Sequence, residues 1–283
     1  MAVLYIALTV IILAGLLALL VKWESEIIEV NSFTIPINKA GFEKPVVIVH
    51  ITDLHMSPWY LPSRFLSVVE YINSINPDYV LITGDLTTHF KELIPGSAAA
   101  IKKLKPKEAV YAVPGNHDYW IDAGYTIRAH EEAGVKFLLN ECAPSANGVP
   151  ITFLGVDDPY TGHDNLEETA KQIPDNHASI LLAHSPDIIE EAEKLGIDYI
   201  FAGHTHGGQV RLPIIGALYI PSKFGKKYDK GWFTEGKTNM YVNKGIGSIF
   251  PPVRFLCRRE IAIIKLVAGE GKPVKEGKNT IML

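Results

Sequence analysis

Five apolar, largely β-branched runs in this 283-residue chain each stop at a side chain able to hold a metal ion. Residues 45–51 lead into Thr52-Asp53-Leu54-His55, and residues 78–83 lead into Gly84-Asp85. Residues 108–113 are followed by Pro114-Gly115-Asn116-His117-Asp118, residues 179–183 by His184, and residues 199–202 by Gly203-His204-Thr205-His206-Gly207-Gly208. Continuous runs of this kind read as strands buried on both faces. Between them, residues 62–75 have proline at the start and place Phe65, Val68, Val69 and Ile72 on one face, the pattern of a helix. Further helices are expected over 96–104, 122–133 and 186–195. Alternating strands and helices argue an α/β fold, in which ligands gather beyond the carboxyl ends of the strands.

Asp and Asn favour turns for reasons unrelated to chemistry, and that is explanation enough for Asp53 or Asn116 taken alone. It does not account for the histidines. His204 and His206, two apart at a strand end, can aim their rings at two points a few ångströms apart, which suits a pair of ions better than one. The glycines around them let the backbone approach a ligand closely. A solvated loop would explain that stretch in isolation, but not the set.

The second half adds strands over 135–138 and 149–156, and a polar loop over 157–164. Short strand-like pieces follow near 209–212, 218–220, 232–234, 239–243 and 260–267. Their density, with few helices, predicts a second and more antiparallel sheet. The expected architecture is α/β, with two packed mixed β-sheets flanked by helices. Two separate domains are the alternative, but the polar strand ends in both halves look like parts of one site. Residues 24–44 are mixed, with an alternating piece around 27–35 that reads as an edge strand or two.

Hydrophobic residues make up 47% of the chain and charged residues 20%, as in a globular domain. A net charge of -4 gives no reason to expect nucleic acid as a partner. Cys142 and Cys257 are the only cysteines, too few and too far apart for a disulfide framework or a zinc cluster. Residues 2–21 are almost wholly apolar and uncharged, about the ~20 residues that cross a bilayer as a helix, and Lys22 and Trp23 mark a water interface. A cleaved signal peptide is the rival reading. Against it, no basic residue precedes the run and no small-x-small cleavage site follows it. The expected organisation is an uncleaved transmembrane anchor over 1–22, a linker with an edge strand over 23–44, and a catalytic domain over 45–283. Lys22 and Lys39 after the span, with no basic side chain before it, lean towards a single-pass protein of the inner membrane with its domain on the cytoplasmic face.

Taken as a set, Asp53-Leu54-His55, Gly84-Asp85, Gly115-Asn116-His117-Asp118, His184 and Gly203-His204-Thr205-His206 resemble the calcineurin-like metallophosphoesterases. The pattern of that family is Asp-x-His, Gly-Asp, Gly-Asn-His-Asp/Glu, a lone His and Gly-His-x-His, and here the order is kept with every ligand position filled. The resemblance spans roughly residues 46–267. It implies a four-layer sandwich and two divalent metal ions, manganese by preference, with iron or zinc as options. It places Asp53, His55 and His206 on the first ion, Asn116, His184 and His204 on the second, and Asp85 between them. It implies that a metal-bridging hydroxide attacks phosphorus, with no covalent enzyme intermediate. His117 would stabilise the transferring phosphoryl group or protonate the leaving oxygen, and Asp118 would orient His117.

The other histidines read as ordinary: His50 packed inside a strand, and His89, His130 and His177 on the surface. His163, in the polar loop with Asp157 and Asp158, could contact substrate, although a solvated turn explains it equally well. Residues 211–221 are very apolar for a segment beside a metal site, and Lys223, Lys226, Lys227 and Lys230 come just after. That combination fits either a lipid tail with an anionic head group or an ordinary core strand. The stretch 203–209 and the tail over 243–258 resemble the membrane-associated bacterial branch of the family, which is similar to enzymes that split UDP-2,3-diacylglucosamine in lipid A synthesis. The expected partners are therefore the membrane and a lipid-linked or nucleotide-linked phosphate substrate. A broad phosphodiesterase is the alternative. A scaffold that had lost catalysis should also have lost ligands, and here none is missing.

Overall fold

The computed structural model describes residues 1–283. The chain opens with helix α1 (Ala2–Glu26) and passes directly into strand β1 (Ile27–Ile37). Next come β2 (Val46–Ile51), α2 (Pro62–Ile75), β3 (Tyr79–Thr83), α3 (Ile94–Ile101), β4 (Ala109–Val113), α4 (Asn116–Ile121), α5 (Ala123–Glu131) and β5 (Val135–Phe137). The middle of the chain forms β6 (Glu141–Pro144), β7 (Ile151–Gly155), α6 (Leu166–Ala170), β8 (Ala178–Leu182), α7 (Ile189–Lys194) and β9 (Tyr199–Ala202). The last part contributes β10 (Arg211–Leu212), β11 (Gly216–Ala217), β12 (Gly231–Glu235), β13 (Thr238–Val242), β14 (Arg259–Ala268) and β15 (Val274–Met282).

Two sheets carry the fold. The first has the order β15-β1-β14-β2-β3-β4-β5 and the second β12-β13-β9-β8-β7-β6. They pack face to face, with Ile48, Leu81 and Val113 of the first meeting Phe153, Ile180 and Phe201 of the second. Side chains of opposite parity on β2 and β3, Val49, Ile51, Val80 and Ile82, meet Phe65, Val68, Val69 and Ile72 of α2 on the outer face. Leu154, Leu181 and Ile200 meet Ile189 and Ala192 of α7 on the other side. The result is the helix–sheet–sheet–helix sandwich expected from the sequence. The period of two along a strand explains why β2 and β3 are apolar throughout: both of their faces are covered.

Three expectations need correction. β1 is not an edge strand but lies between β14, parallel to it, and β15, antiparallel. Its polar residues pair within the protein: Glu29 with Lys244 and Lys278, while the Asn31 amide donates to Glu260. The second sheet is mixed, as expected: β7, β8, β9 and β13 run parallel to one another, and β6 and β12 pair antiparallel at its two edges. The late strand β14 returns to the first sheet because it is apolar on both faces and needs a two-sided slot. Residues 218–220 form no strand; β10 pairs instead with β11 at Gly216 and Ala217. Helices α4 and α6, and strands β6 and β15, were not expected.

Residues 2–20 of α1 are exposed along their length, so this is not a core helix. Its last turn is docked. Glu24 and Ser25 are buried, Arg258 Nε donates to Glu24 Oε1 at 2.9 Å, the Arg254 amide donates to Ser25 Oγ at 2.7 Å, and Glu26 pairs with Arg64.

Candidate metal centre

All five polar strand ends meet at one edge of the two sheets. Asp53 and His55 follow β2, Asp85 follows β3, Asn116 opens α4 after β4, His184 follows β8, and His204 and His206 follow β9. All seven are buried. The backbone is unusual here: Asp53 (φ 49), His55 (φ 44), Asp85 (φ 54), His204 (φ 66) and His206 (φ 51) are left-handed. Non-glycine residues adopt that conformation at a cost of roughly 1–2 kcal/mol each. Their concentration at one place marks a functional turn rather than a packing accident. Hydrogen bonds between the loops hold it: Asp53 N to Gly84 O at 3.1 Å, His55 N to Asp85 O at 3.0 Å and Gly203 N to His184 O at 2.9 Å.

Each carboxylate has one oxygen tied down and one left over. Asp53 Oδ2 accepts from His204 N at 3.0 Å and from Thr52 Oγ1 at 2.9 Å, while Asp53 Oδ1 is buried with no partner. Asp85 Oδ1 accepts from His117 N at 2.9 Å, which leaves Oδ2 at 3.3 Å from both His55 Nε2 and His184 Nε2. The His184 Nδ1–H donates to Thr83 O at 2.8 Å, so its Nε2 lone pair faces the site. Around these oxygens, His206 Nε2 lies 3.0 Å from His55 Nε2 and 3.3 Å from Asp53 Oδ1. On the other side, His184 Nε2 lies 3.1 Å from Asn116 Oδ1 and 3.1 Å from His204 Nδ1.

Lone pairs facing one another at such distances repel unless a cation sits between them. Donors about 2.1 Å from a common ion at right angles would themselves be about 3 Å apart, so the spacing fits ligation. Two clusters share Asp85: Asp53, His55 and His206 on one side, and Asn116, His184 and His204 on the other. The electrostatics agree. Burial alone would raise the Asp53 and Asp85 carboxyls, but the surrounding histidines hold both below the usual carboxylate range. Burial alone would lower His184, yet Asp85 and Asp53 lift it well above its ordinary value. Burial pushes His204 down to about 4 and holds His206 low as well, so both offer neutral ring nitrogens, the form in which histidine ligates a metal.

His117 lies beside this group, its ring 4.7 Å from that of His55 and half-buried, with Nδ1 unpartnered. Burial pushes its imidazole down to about 4. Asp118 does not orient it. The Asp118 carboxylate accepts from Leu86 N at 3.1 Å and from Gly115 N at 3.0 Å, which joins the loop after β3 to the loop after β4. The reason is helical geometry: successive residues of α4 project about 100° apart, so Asp118 points into the domain while His117 points at the site. Burial, reinforced by Asp85, lifts the Asp118 carboxyl to about 7.

A model of the calcineurin-like phosphoesterases matches residues 46–208, from β2 through the His204-x-His206 turn. The chain belongs to this family. Its members include the "Uncharacterized metallophosphoesterase YkuE" of Bacillus subtilis, 30% identical over 249 residues that cover 84% of this chain and 83% of the relative. The "Transmembrane protein with metallophosphoesterase domain" of Danio rerio is 30% identical over 77% of this chain, which spans about half (52%) of that protein's length. Among solved structures, a dimetal phosphatase from Danio rerio superposes with a TM-score of 0.48 at 12% identity, covering 84% of this chain and 99% of that one. As a member of the family, the chain is a metal-dependent phosphoester hydrolase.

A cleft of about 380 Å³ opens from the phosphoesterase centre. Asp85, Asn116, His117, His204 and His206 form its polar end, and Trp120, Tyr160, Leu218, Tyr219, Ile249 and Phe250 form apolar walls. The segment over 211–221 is therefore neither core strand nor buried: Ala217 and Ile220 point inward, while Ile214, Ile215, Leu218 and Tyr219 are exposed. His163 is absent from the cleft lining and stacks on Tyr119 with centroids 4.2 Å apart; Tyr160 of the same loop reaches the site instead, 4.6 Å from the His204 ring. His50 is packed as expected, its Nε2 2.9 Å from Thr83 Oγ1, and His89 is exposed. His130 is not on the surface. It is fully buried, with Nδ1–H donating to Thr126 O at 2.8 Å and Nε2 3.0 Å from Ser97 Oγ.

Sequence reasoning also missed Arg254. Its guanidinium is fully buried, donates to Lys244 O at 2.8 Å and comes within 3.4 Å of His206 Nδ1. No carboxylate forms an ion pair with it; the carbonyls of Lys244 and Gly247 and the Ser248 hydroxyl accept its hydrogen bonds, and nothing in the local sequence signals a basic residue used that way.

Proposed function

We propose that this protein is a membrane-anchored, two-metal hydrolase of a lipid-linked phosphoester or pyrophosphate, with UDP-2,3-diacylglucosamine as the leading candidate substrate. Asp53, His55 and His206 would hold one ion, Asn116, His184 and His204 would hold the other, and Asp85 would serve both. The mixed oxygen and nitrogen set suits manganese first, with iron and zinc also accommodated. Such a pair of ions supplies a nucleophilic water at neutral pH and neutralises charge on the phosphoryl oxygens. The chain's own residues do the rest. His204 N and His117 N each fix one carboxylate oxygen so that the other faces the centre. His117, half-buried and held as the neutral imidazole by that burial, is placed to donate a hydrogen bond to the phosphoryl group. Asp118 acts as a positioning residue through the two loops it joins.

The observation that carries this reading is the junction of seven convergent donors with a cleft whose far walls are aromatic and aliphatic. A polar end for phosphate continuous with an apolar wall suits an amphiphile better than a free nucleotide. The apolar α1 and the relative named a transmembrane protein support anchoring, and Lys22 after the span favours the cytoplasmic face of the inner membrane.

The test is a mass-spectrometric product assay on the detergent-purified chain with manganese and UDP-2,3-diacylglucosamine. Hydrolysis of the pyrophosphate by one water should yield UMP and the diacylated sugar 1-phosphate, and Asn116→Ala should abolish it. Cleavage of a simple aryl phosphodiester without any UMP would retain the hydrolase and reject this substrate in favour of other membrane phosphodiesters.

A further inference from the structure

One stretch of chain joins the mouth of the cleft to the membrane helix. Ile249, Phe250 and Pro251 line the cleft, and the next two residues, Pro252 and Val253, close a crevice against Ala14, Leu17, Ala18 and Val21 of α1. The same stretch then clamps the last turn of α1 through Arg254–Ser25 and Arg258–Glu24. Because α1 ends at Glu26 and β1 begins at Ile27, no flexible tether separates helix from domain. The second lip of the cleft is tied to the first. Gln209 Nε2 donates to Ile249 O at 3.0 Å and to Pro251 O at 2.8 Å, and Arg211 N donates to Phe255 O at 2.9 Å. Where α1 goes, both lips follow.

The helix also sets their depth. Leu17 lies five residues before Lys22, about 7.5 Å along a helix rising 1.5 Å per residue. Whatever packs on Leu17 and Ala18 therefore sits at the ~5–10 Å depth where apolar groups enter the boundary between head groups and acyl chains. The rim nearest this contact is apolar and solvent-facing in the isolated chain: Phe250 is 78% exposed and Tyr219 70%, with Ile214, Ile215 and Leu218 also exposed. Lys223, Lys226 and Lys227 follow it and are exposed, as suits a surface with anionic head groups just above the acyl region.

We propose that this rim is immersed in the bilayer that α1 crosses, so that the cleft opens within the leaflet rather than into water. The proposal rests on the reading of α1 as a membrane span. Under it, an amphiphilic phosphoester reaches the metal centre by lateral diffusion: its acyl chains stay against Phe250, Leu218 and Tyr219 while its phosphate moves to His117. The occupant is the lipid surface itself. A second copy of the chain is the competing occupant, and the geometry of α1 argues against it, because a dimer through the rim would have to form inside the membrane boundary.

Power-saturation spectroscopy on nitroxide-labelled full-length protein tests this in vesicles of phosphatidylethanolamine and phosphatidylglycerol. Single labels would replace Ile215, Phe250, Leu13 and Glu270 in a Cys142→Ser background. Glu270 lies just past the far end of β14, which runs alongside β1, about 33 Å along extended chain from the end of α1. Labels at 13, 215 and 250 should be relaxed more by oxygen than by a water-soluble nickel complex, with the reverse at 270. If 13 is in lipid while 215 and 250 behave like 270, the rim is outside the bilayer and the proposal fails while the anchor stands. If 13 is also in water, anchor and rim fail together. Dipolar broadening between labels at 215 on different copies would assign the rim to a dimer and overturn the proposal.

Discussion

Replacing Asp118 separates two accounts of that residue. Its carboxylate is the acceptor for the Leu86 and Gly115 amides, both buried, and makes no hydrogen bond to the His117 ring. In Asp118→Ala both N–H groups lose their partner. An unsatisfied buried donor costs about 1–3 kcal/mol, so about 2–6 kcal/mol of stability is at stake. Asp118→Asn keeps one acceptor oxygen and turns an NH2 towards the other amide, so its loss should be roughly half as large. The two amides belong to the loops that carry Asp85 and Asn116. Loosening them should lower kcat on a soluble aryl diester by around 10²-fold, the effect of a displacement near 1 Å in a positioned site. The readouts are urea denaturation and kcat on the manganese-loaded enzyme. Stability and kcat should fall together in the order wild type, Asn, Ala. An Asn variant of unchanged stability that nevertheless loses kcat would refute the reasoning and return Asp118 to a role through His117.

Two further outcomes follow from the geometry. A Cβ on Gly84, at φ +89, would stand 2.8 Å from His184 Cγ and 2.9 Å from Gly115 Cα. Gly84→Ala should therefore displace His184, and metal analysis should find about half the wild-type content; full occupancy would show that the loop yields without cost. His130 is held at about 4 by burial, against an ordinary value of 6.5. A depressed value means that the unfolded chain takes up the proton first, so its contribution is complete above pH 6.5 and is lost as pH falls towards 4. That amounts to about 2 kcal/mol by pH 5. The loss between pH 7 and 5 should shrink in His130→Gln, and an identical slope in the variant would show that His130 is not its source.

What could be read in the sequence follows a physical division. Strands covered on both faces announce themselves, so β2, β3, β4, β8 and β9 and the donors at their ends were legible. β1 was legible as a strand but not as an interior one, because its alternation of polar and apolar residues is what a half-exposed strand shows. Only the fold brings Lys244, Lys278 and Glu260 to Glu29 and Asn31. The buried His130 was misplaced for the same reason, since Ser97 and Thr126 satisfy a ring that looks solvent-bound in sequence. The donor types were legible; the bond that makes Asp118 a strut was not, because residue order does not say which way a side chain leaves a short helix. The apolar mouth falls between these cases. The hydrophobicity of residues 211–221 was plain, but only the bonds from Gln209 to Ile249 and from Arg211 to Phe255 show that they form the edge of a cleft.

The left-handed turns at Asp53, His55, Asp85, His204 and His206 have a consequence for anyone who would move this chemistry elsewhere. The same seven side chains grafted onto strand ends of ordinary right-handed twist would diverge, because each left-handed residue redirects its Cα–Cβ vector towards a shared centre. A transplant would have to carry the loops, their cross-links to Gly84 and His184, and the glycines that let them approach. The portable unit is thus a bent backbone with donors attached, and a search for such centres in unrelated chains would do better to look for clustered left-handed Asp and His than for the spelling of the motif.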